Sequence, residues 1–346
     1  MPSKKALRAA SVNRTRLLTV GAVLTVVGLA LAIFGWSTPS LLLGGKAVLF
    51  LAGVALLFQG VNRLLQGVLG RRVDLTLWLC VGWLVAIVLA AILAPYLPLG
   101  EQNDVAKTLL EPSYTTPALL TEHPLGTNNQ GLDLLARSIY GARTSLMISL
   151  LAVAVGTVVG GTIGVIAGYF RKGVDSVVGI FTNALLAVPP LILLIALSTF
   201  LDPSIRNMSL ALALLTIPSM IRLARANTIT FAQREFVMAA RLMGATRMRV
   251  MARELVPNVI LPVFSMAVVM ISALIVAEAS LSFLGLGIQQ PDPTWGNMIA
   301  EGEGGIMEDH PHIVLVPGAF LFLTVFAFNL LGEKAQARWD TRSAKL

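Results

Sequence analysis

The chain has 346 residues, 56% hydrophobic and only 13% charged, with a formal net charge of +8 and a mean hydropathy of +0.79. Soluble domains carry about 25% charged residues, so this composition excludes an ordinary soluble enzyme and a disordered chain and points to lipid. The positive balance fits Lys and Arg gathered on cytoplasmic loops, and no nucleic-acid partner is expected.

Apolar runs of spanning length lie at 17–36, 41–60, 75–96, 145–169, 175–200, 207–225, 257–283 and 313–331. At about 20 residues per span, they predict an all-α, polytopic membrane protein of about eight transmembrane helices. Phe34 to Pro39 offers no small-residue cleavage site, so the first run reads as an uncleaved helix rather than a signal peptide. A turn at Ser37-Thr38-Pro39-Ser40 would pair it with the second run, and Arg71-Arg72 marks the linker that follows. The expected organisation is an N-terminal hairpin over 1–72, a further helix and extracytoplasmic loop over 73–144, and a helical membrane region over 145–346. Arg222 and Arg225 close the weakest run and are expected to snorkel to the interface.

With the N-terminus inside, 21 of the 26 Lys and Arg fall on inside segments. That asymmetry places both termini in the cytoplasm. Residues 97–144, with four prolines, read as an irregular outside segment with a short helix at 131–140. Residues 285–312 form a second outside segment, acidic and without Lys or Arg. Residues 222–256 form the long inside segment, without proline, and read as helix, turn, helix. The one cysteine, Cys80, allows no intrachain disulfide, and His310 and His312 lack an obvious third metal ligand. Gly45-Lys46 is the only Gly-Lys pair, and its surroundings fail the phosphate-cradling pattern. The chain is expected to be no enzyme and to hold neither cofactor nor metal.

Four features invite a functional reading. Residues 235–243 predict a short helix whose Ala239 and Ala240 allow close approach, ended by Gly244 in a left-handed turn. A second basic helix would then run to Pro257, which suits the first turn of the next span. This segment is either a docking element or an amphipathic loop at the headgroups. Gly156, Gly160, Gly164 and Gly168 form a stripe for close backbone packing, within this subunit or against a partner. Pro189-Pro190 should bend the fifth run, as a structural kink or beside a translocation path. Glu278 is the one carboxylate well inside an apolar run. It is a functional candidate or a hydrated residue near the outer surface.

Ala239-Ala240, Gly244 and Pro257 together resemble the "EAA" loop of ABC importer permeases, with Met238 standing at the position of the usual Glu. His123-Pro-Leu-Gly-Thr127, Gly131-x-Asp133 and Tyr140-Gly-Ala-Arg143-x-Ser145-Leu146 resemble the entry segment of the dipeptide/oligopeptide permease C-type subunits. Glu278 to Gly287, Pro293-x-Trp295-Gly-Asn297 and Ala327 to Gly332 are similar to the same branch, so the resemblance covers about 75–340. The branch usually has Gly-Arg-Asp where this chain has Gly131-Leu132-Asp133.

The resemblance implies a six-helix core in the inner membrane of a prokaryote and a second permease subunit as heterodimer partner. It also implies two ABC ATPase subunits carrying ATP and Mg, a binding protein outside that delivers peptides, and coupling through 235–244. The competing readings are a stand-alone secondary transporter, a permease for nickel or another small solute, and a non-transporting membrane scaffold.

Overall fold

The computed structural model describes residues 4–37, 43–69, 74–118 and 121–343. Among these the elements are helical, and the single β-type contact is an isolated bridge between Thr127 and Asp133. The described residues fall into two compact units, 1–79 and 80–346. The expected turn at 37–40 and the Arg71-Arg72 linker lie outside the described residues, apart from Ser37 at a helix end.

The first unit pairs α1 (Lys4–Ser37) with α2 (Leu43–Leu69). Glycines set their separation. A Cβ on Gly28 would lie 2.3 Å from the Leu57 nitrogen, and one on Gly60 would lie 2.4 Å from the Thr25 nitrogen. Side chains that stop at hydrogen let two backbones touch, which is how helices gain packing energy in lipid. The apolar stretch Leu17–Leu31 lies on α1.

The second unit is a helical bundle. It includes α3 (Leu75–Leu93) from Cys80 onward, then α4 (Leu134–Phe170), α5 (Lys172–Ala187), α6 (Pro190–Phe200), α7 (Ile205–Phe231), α10 (Val256–Phe283) and α13 (His312–Ser343). Shorter helices α8 (Glu235–Leu242), α9 (Arg247–Val250), α11 (Trp295–Ala300) and α12 (Ile306–Asp309) decorate its ends. Among the described residues, five stretches are long and apolar enough to cross a bilayer, and six if α5 and α6 form one broken span. The run expected at 175–200 is therefore two helices, bent by 89° at the Pro189-Pro190 break. Val188 and Pro189 are extended there, because a residue before proline is kept out of the helical region.

The α4–α7 pair is the centre of the bundle. Gly156, Gly160, Gly164 and Gly168 are buried against Thr216, Met220, Ala224 and Thr228 of α7. A Cβ on Gly160 would lie 2.6 Å from the Ile217 carbonyl oxygen, and one on Gly164 would lie 2.6 Å from that of Ile221. The stripe thus packs within this chain. α10 lies against both helices, and α13 packs on α10. Ile148, Leu212, Met220 and Ile275 are fully enclosed in the shared core. Trp83 of α3 donates to Thr324 of α13 at 3.0 Å and stacks obliquely on Phe320.

α4 begins earlier than the hydropathy suggests. The Asp133 carboxylate caps it by accepting from the Ala136 N–H at 2.6 Å, so the helix absorbs the short segment expected at 131–140. Arg222 and Arg225 both find partners on α5. Arg225 forks onto Asp175 of α5, and Arg222 donates to Asn183 at 2.9 Å.

Adjacent glycines of α4 provide a test of the packing. A Cβ at Gly161 would have one neighbour, at 3.9 Å from Val263. Gly160→Ala should therefore destabilise by about 1–3 kcal/mol through overpacking. Gly161→Ala should be neutral or stabilise by about 0.5–1 kcal/mol through helix propensity. Unfolding temperatures in detergent would compare them, and equal values would refute the close α4–α7 contact.

Candidate functional site

The loop between α7 and α10 builds a small folded module. α7 ends at Phe231, and α8 follows after one turn. Gly244 has φ +83, a conformation open to glycine without steric cost. The N–H of Ala245 donates to the Ala240 carbonyl at 3.1 Å, and that of Gly244 donates to Arg241 at 3.0 Å. This is the Schellman pairing, which satisfies the last carbonyls of α8 and reverses the chain. Thr246 then caps α9. A wide π turn, Met251–Leu255, leads directly into α10, so that Arg247–Phe283 runs as one apolar stretch. Pro257 lies in the first turn of α10, inside this continuous helix rather than at the start of a free one.

The two alanines of α8 face opposite ways. Ala240 is 6% exposed and packs with Val237, Val250 and Leu255, beside Tyr169 and Phe231. Its small size serves the chain's own packing. Ala239 is exposed, together with Glu235. Beside them Leu242 is 89% and Met243 82% exposed, and Met238 is also uncovered. An uncovered apolar tip on a rigidly capped helix is a surface that gains by being covered.

The opposite end of the bundle gathers the motif residues of the two long segments. Trp295 is buried and donates its indole N–H to the Ser138 carbonyl at 3.0 Å. Gly296 lies so close to α10 that a Cβ would be 2.3 Å from the Ala279 carbonyl oxygen. Thr294 and Asn297 form a reciprocal capping box at the start of α11. Arg137 and Glu301 form a buried ion pair. Glu301 also accepts from Asn128 at 3.0 Å and from Gln290 at 3.2 Å, and Arg137 donates to the Gln102 carbonyl at 3.0 Å. One carboxylate therefore joins the two long segments, 97–144 and 285–312. Glu278 is fully buried, not hydrated, and accepts from Ser145 of α4 and Ser282 at 2.7 Å each. Sequence spacing gave no sign of either arrangement, because Asn128, Arg137 and Ser145 lie more than a hundred residues from the carboxylates they meet.

Pro189 and Pro190 are exposed at the α5–α6 break. Among the described residues, Thr182 and Leu194 are the only buried side chains of these two helices. Much of their remaining apolar surface is uncovered within this chain.

His123 Nδ1 lies 2.9 Å from the Asp133 carboxylate that caps α4, and Nε2 lies 3.5 Å from Glu111. Burial opposes the charged imidazolium, but the Asp133 and Glu111 carboxylates outweigh it and raise the imidazole above its ordinary value. The folded segment thus favours protonated His123. Its stabilisation should be complete below the unfolded value, about 6.5, and fade as pH rises through the raised folded value. Amide protection factors across 111–134, which remove the intrinsic pH dependence of exchange, should accordingly fall as pH rises from about 6.5 through the raised folded value, and His123→Gln should flatten that dependence. An unchanged slope in the variant would remove the imidazole from the account.

The geometry agrees with the comparisons. Residues 160–344 match the family described as binding-protein-dependent transport system inner membrane component. The chain is 34% identical over 251 residues to the dipeptide transport system permease protein DppC of Alkalihalophilus pseudofirmus, covering 72% of this chain and 82% of that one. It is 34% identical over 261 residues to the di/tripeptide transport system permease protein DppC of Pseudomonas aeruginosa, covering 75% and 86%. It is 36% identical over 220 residues to the glutathione transport system permease protein GsiD of Pectobacterium atrosepticum, covering 64% and 73%. A bundle of apolar helices, closed at one end by the entry motifs and carrying a capped helix at the other, has this resemblance along most of its length. The chain belongs to the inner membrane component family of binding-protein-dependent ABC transport systems.

Proposed function

We propose that this permease subunit carries peptides, pairing with a second permease to form the pathway. Two ATPase subunits would bind ATP and Mg, and a binding protein outside would deliver the substrate. The names of the relatives support peptides as the cargo. The observation that carries the coupling role is α8: a helix fixed by a Schellman turn, with Leu242 and Met243 uncovered at its tip. ATP-driven closure of the ATPases would press on this tip, and the continuous Arg247–Phe283 stretch would pass the motion to the spans.

The orientation proposed is 222–256 and both termini in the cytoplasm, with 97–144 and 285–312 outside, on the 21 of 26 basic residues. Cysteines placed at Ser113 and Ala245 test it. Ser113→Cys should react with an impermeant thiol reagent from outside, and labelling of Ala245→Cys from that side would reverse the scheme.

The coupling role has its own test. Leu242→Glu and Met243→Glu place a charge where an apolar contact is expected. Each should reduce ATPase co-purification by about tenfold or more, the scale of one central interface contact. Ala240→Trp should act differently, lowering the unfolding temperature of the permease alone through about 1–3 kcal/mol of internal overpacking. Normal ATPase retention and normal uptake in both glutamate variants would make α8 a solvated connector.

A further inference from the structure

A cavity of about 560 Å³ opens at the α8 end of the bundle, lined by Tyr169, Phe170, Lys172, Arg241, Ala245 and Arg247. Three of its six lining residues are cations, and none is a carboxylate. Asp175, the nearby acid of α5, is already taken by Arg225. Arg241 is held in place, with its guanidinium 5.4 Å from the centre of the Tyr169 ring. The volume is that of a small-ligand site, typically about 300–1,000 Å³.

The backbone beside the cavity is unusual. Arg171 has φ 53 and ψ −162, a region close to one reserved almost entirely for glycine. Lys172 follows with φ 50. Two successive side-chain-bearing residues hold conformations that glycine would adopt at lower cost. The sequence keeps a lysine where the fold would accept glycine, and that lysine lines the cavity.

A second feature points to the form of the anion. Val174, Val177 and Phe181 are uncovered at helical spacing along α5, starting two residues beyond Lys172. Phe170, at the mouth, is also partly uncovered. A basic pocket that shares the helix of Lys172 with an apolar stripe matches a phosphate headgroup with its acyl chain.

We infer that this cavity is a binding site for a phosphate-bearing anion, supplied by the headgroup of an anionic phospholipid, with Lys172, Arg241 and Arg247 as its cationic walls. Arg241 belongs to α8, so the bound headgroup ties the coupling helix to the membrane surface. The inner-leaflet location rests on the orientation proposed above, whereas the binding chemistry does not.

The test uses the full chain purified in neutral detergent, with phosphatidylglycerol, phosphatidylcholine or inorganic phosphate added, read by native mass spectrometry and unfolding temperature. Phosphatidylglycerol should be retained and protective, and phosphatidylcholine should be neither. Lys172→Gly and Arg241→Gln should each weaken retention by about fivefold, the loss of one cation near an anionic headgroup. Arg249→Gln, at the same end but outside the lining, should retain it normally. Without lipid, Lys172→Gly should unfold at the same or a higher temperature, because glycine suits its backbone. Displacement of the lipid by inorganic phosphate alone would support the shared phosphate chemistry and identify a soluble source as sufficient. Equal retention by the wild type and both lining variants would overturn the site. So would equal loss in Arg249→Gln, which would reduce it to diffuse attraction, or a lower lipid-free unfolding temperature of Lys172→Gly, which would make the lysine structural.

Discussion

The close approach of α4 and α7 is the constraint on which the second unit is built. In water, helices are driven together by hiding apolar surface. In lipid that drive is absent, and close van der Waals contact takes its place. Four glycines at four-residue spacing supply it here, by letting the α7 backbone reach the α4 surface. Once these two helices are fixed, Arg225 of α7 can reach Asp175 of α5, and α10 can lie across both. The two ends of α4 are then in position to receive the loops: Asp133 and Arg137 at one, Tyr169 and Phe170 at the other.

The two ends solve different problems. The end with the entry motifs is locked by buried polar groups, Glu301 with its Arg137, Asn128 and Gln290 partners and Glu278 with two serines. Buried charges of this kind are costly unless fully partnered, and breaking one partner strands the other. Such a network favours one arrangement of the segments over many near alternatives. The α8 end uses backbone capping and a small apolar cluster, which leaves its outer surface uncommitted.

Much of this was legible in the sequence because lipid imposes a simple rule on length and polarity. The run at 75–96 matches the observed apolar stretch Leu75–Tyr96, and the one at 257–283 nearly matches α10. The start of α4 was hidden because Arg137, Ser138 and Ser145 interrupt its hydropathy, although each is buried and Arg137 and Ser145 are paired with distant groups. Gly244 announced its own turn, since its role is local. The direction of Ala240 was not legible, because two adjacent alanines look alike until a partner face is known. Glu278 could be singled out but not placed, since its hydroxyl partner on α4 lies 133 residues away.

The π turn at Met251–Leu255 removes what would otherwise be a joint. Because it continues the helix, Arg247 and Glu278 sit on one continuous rod, roughly 45 Å apart at 1.5 Å per residue. A rod of that length is a lever: a tilt of about 2.5° at one end displaces the other by about 2 Å. At its far end that helix meets Ser145 through Glu278 and Gly296 through Ala279, so a tilt of that size would be felt at both contacts.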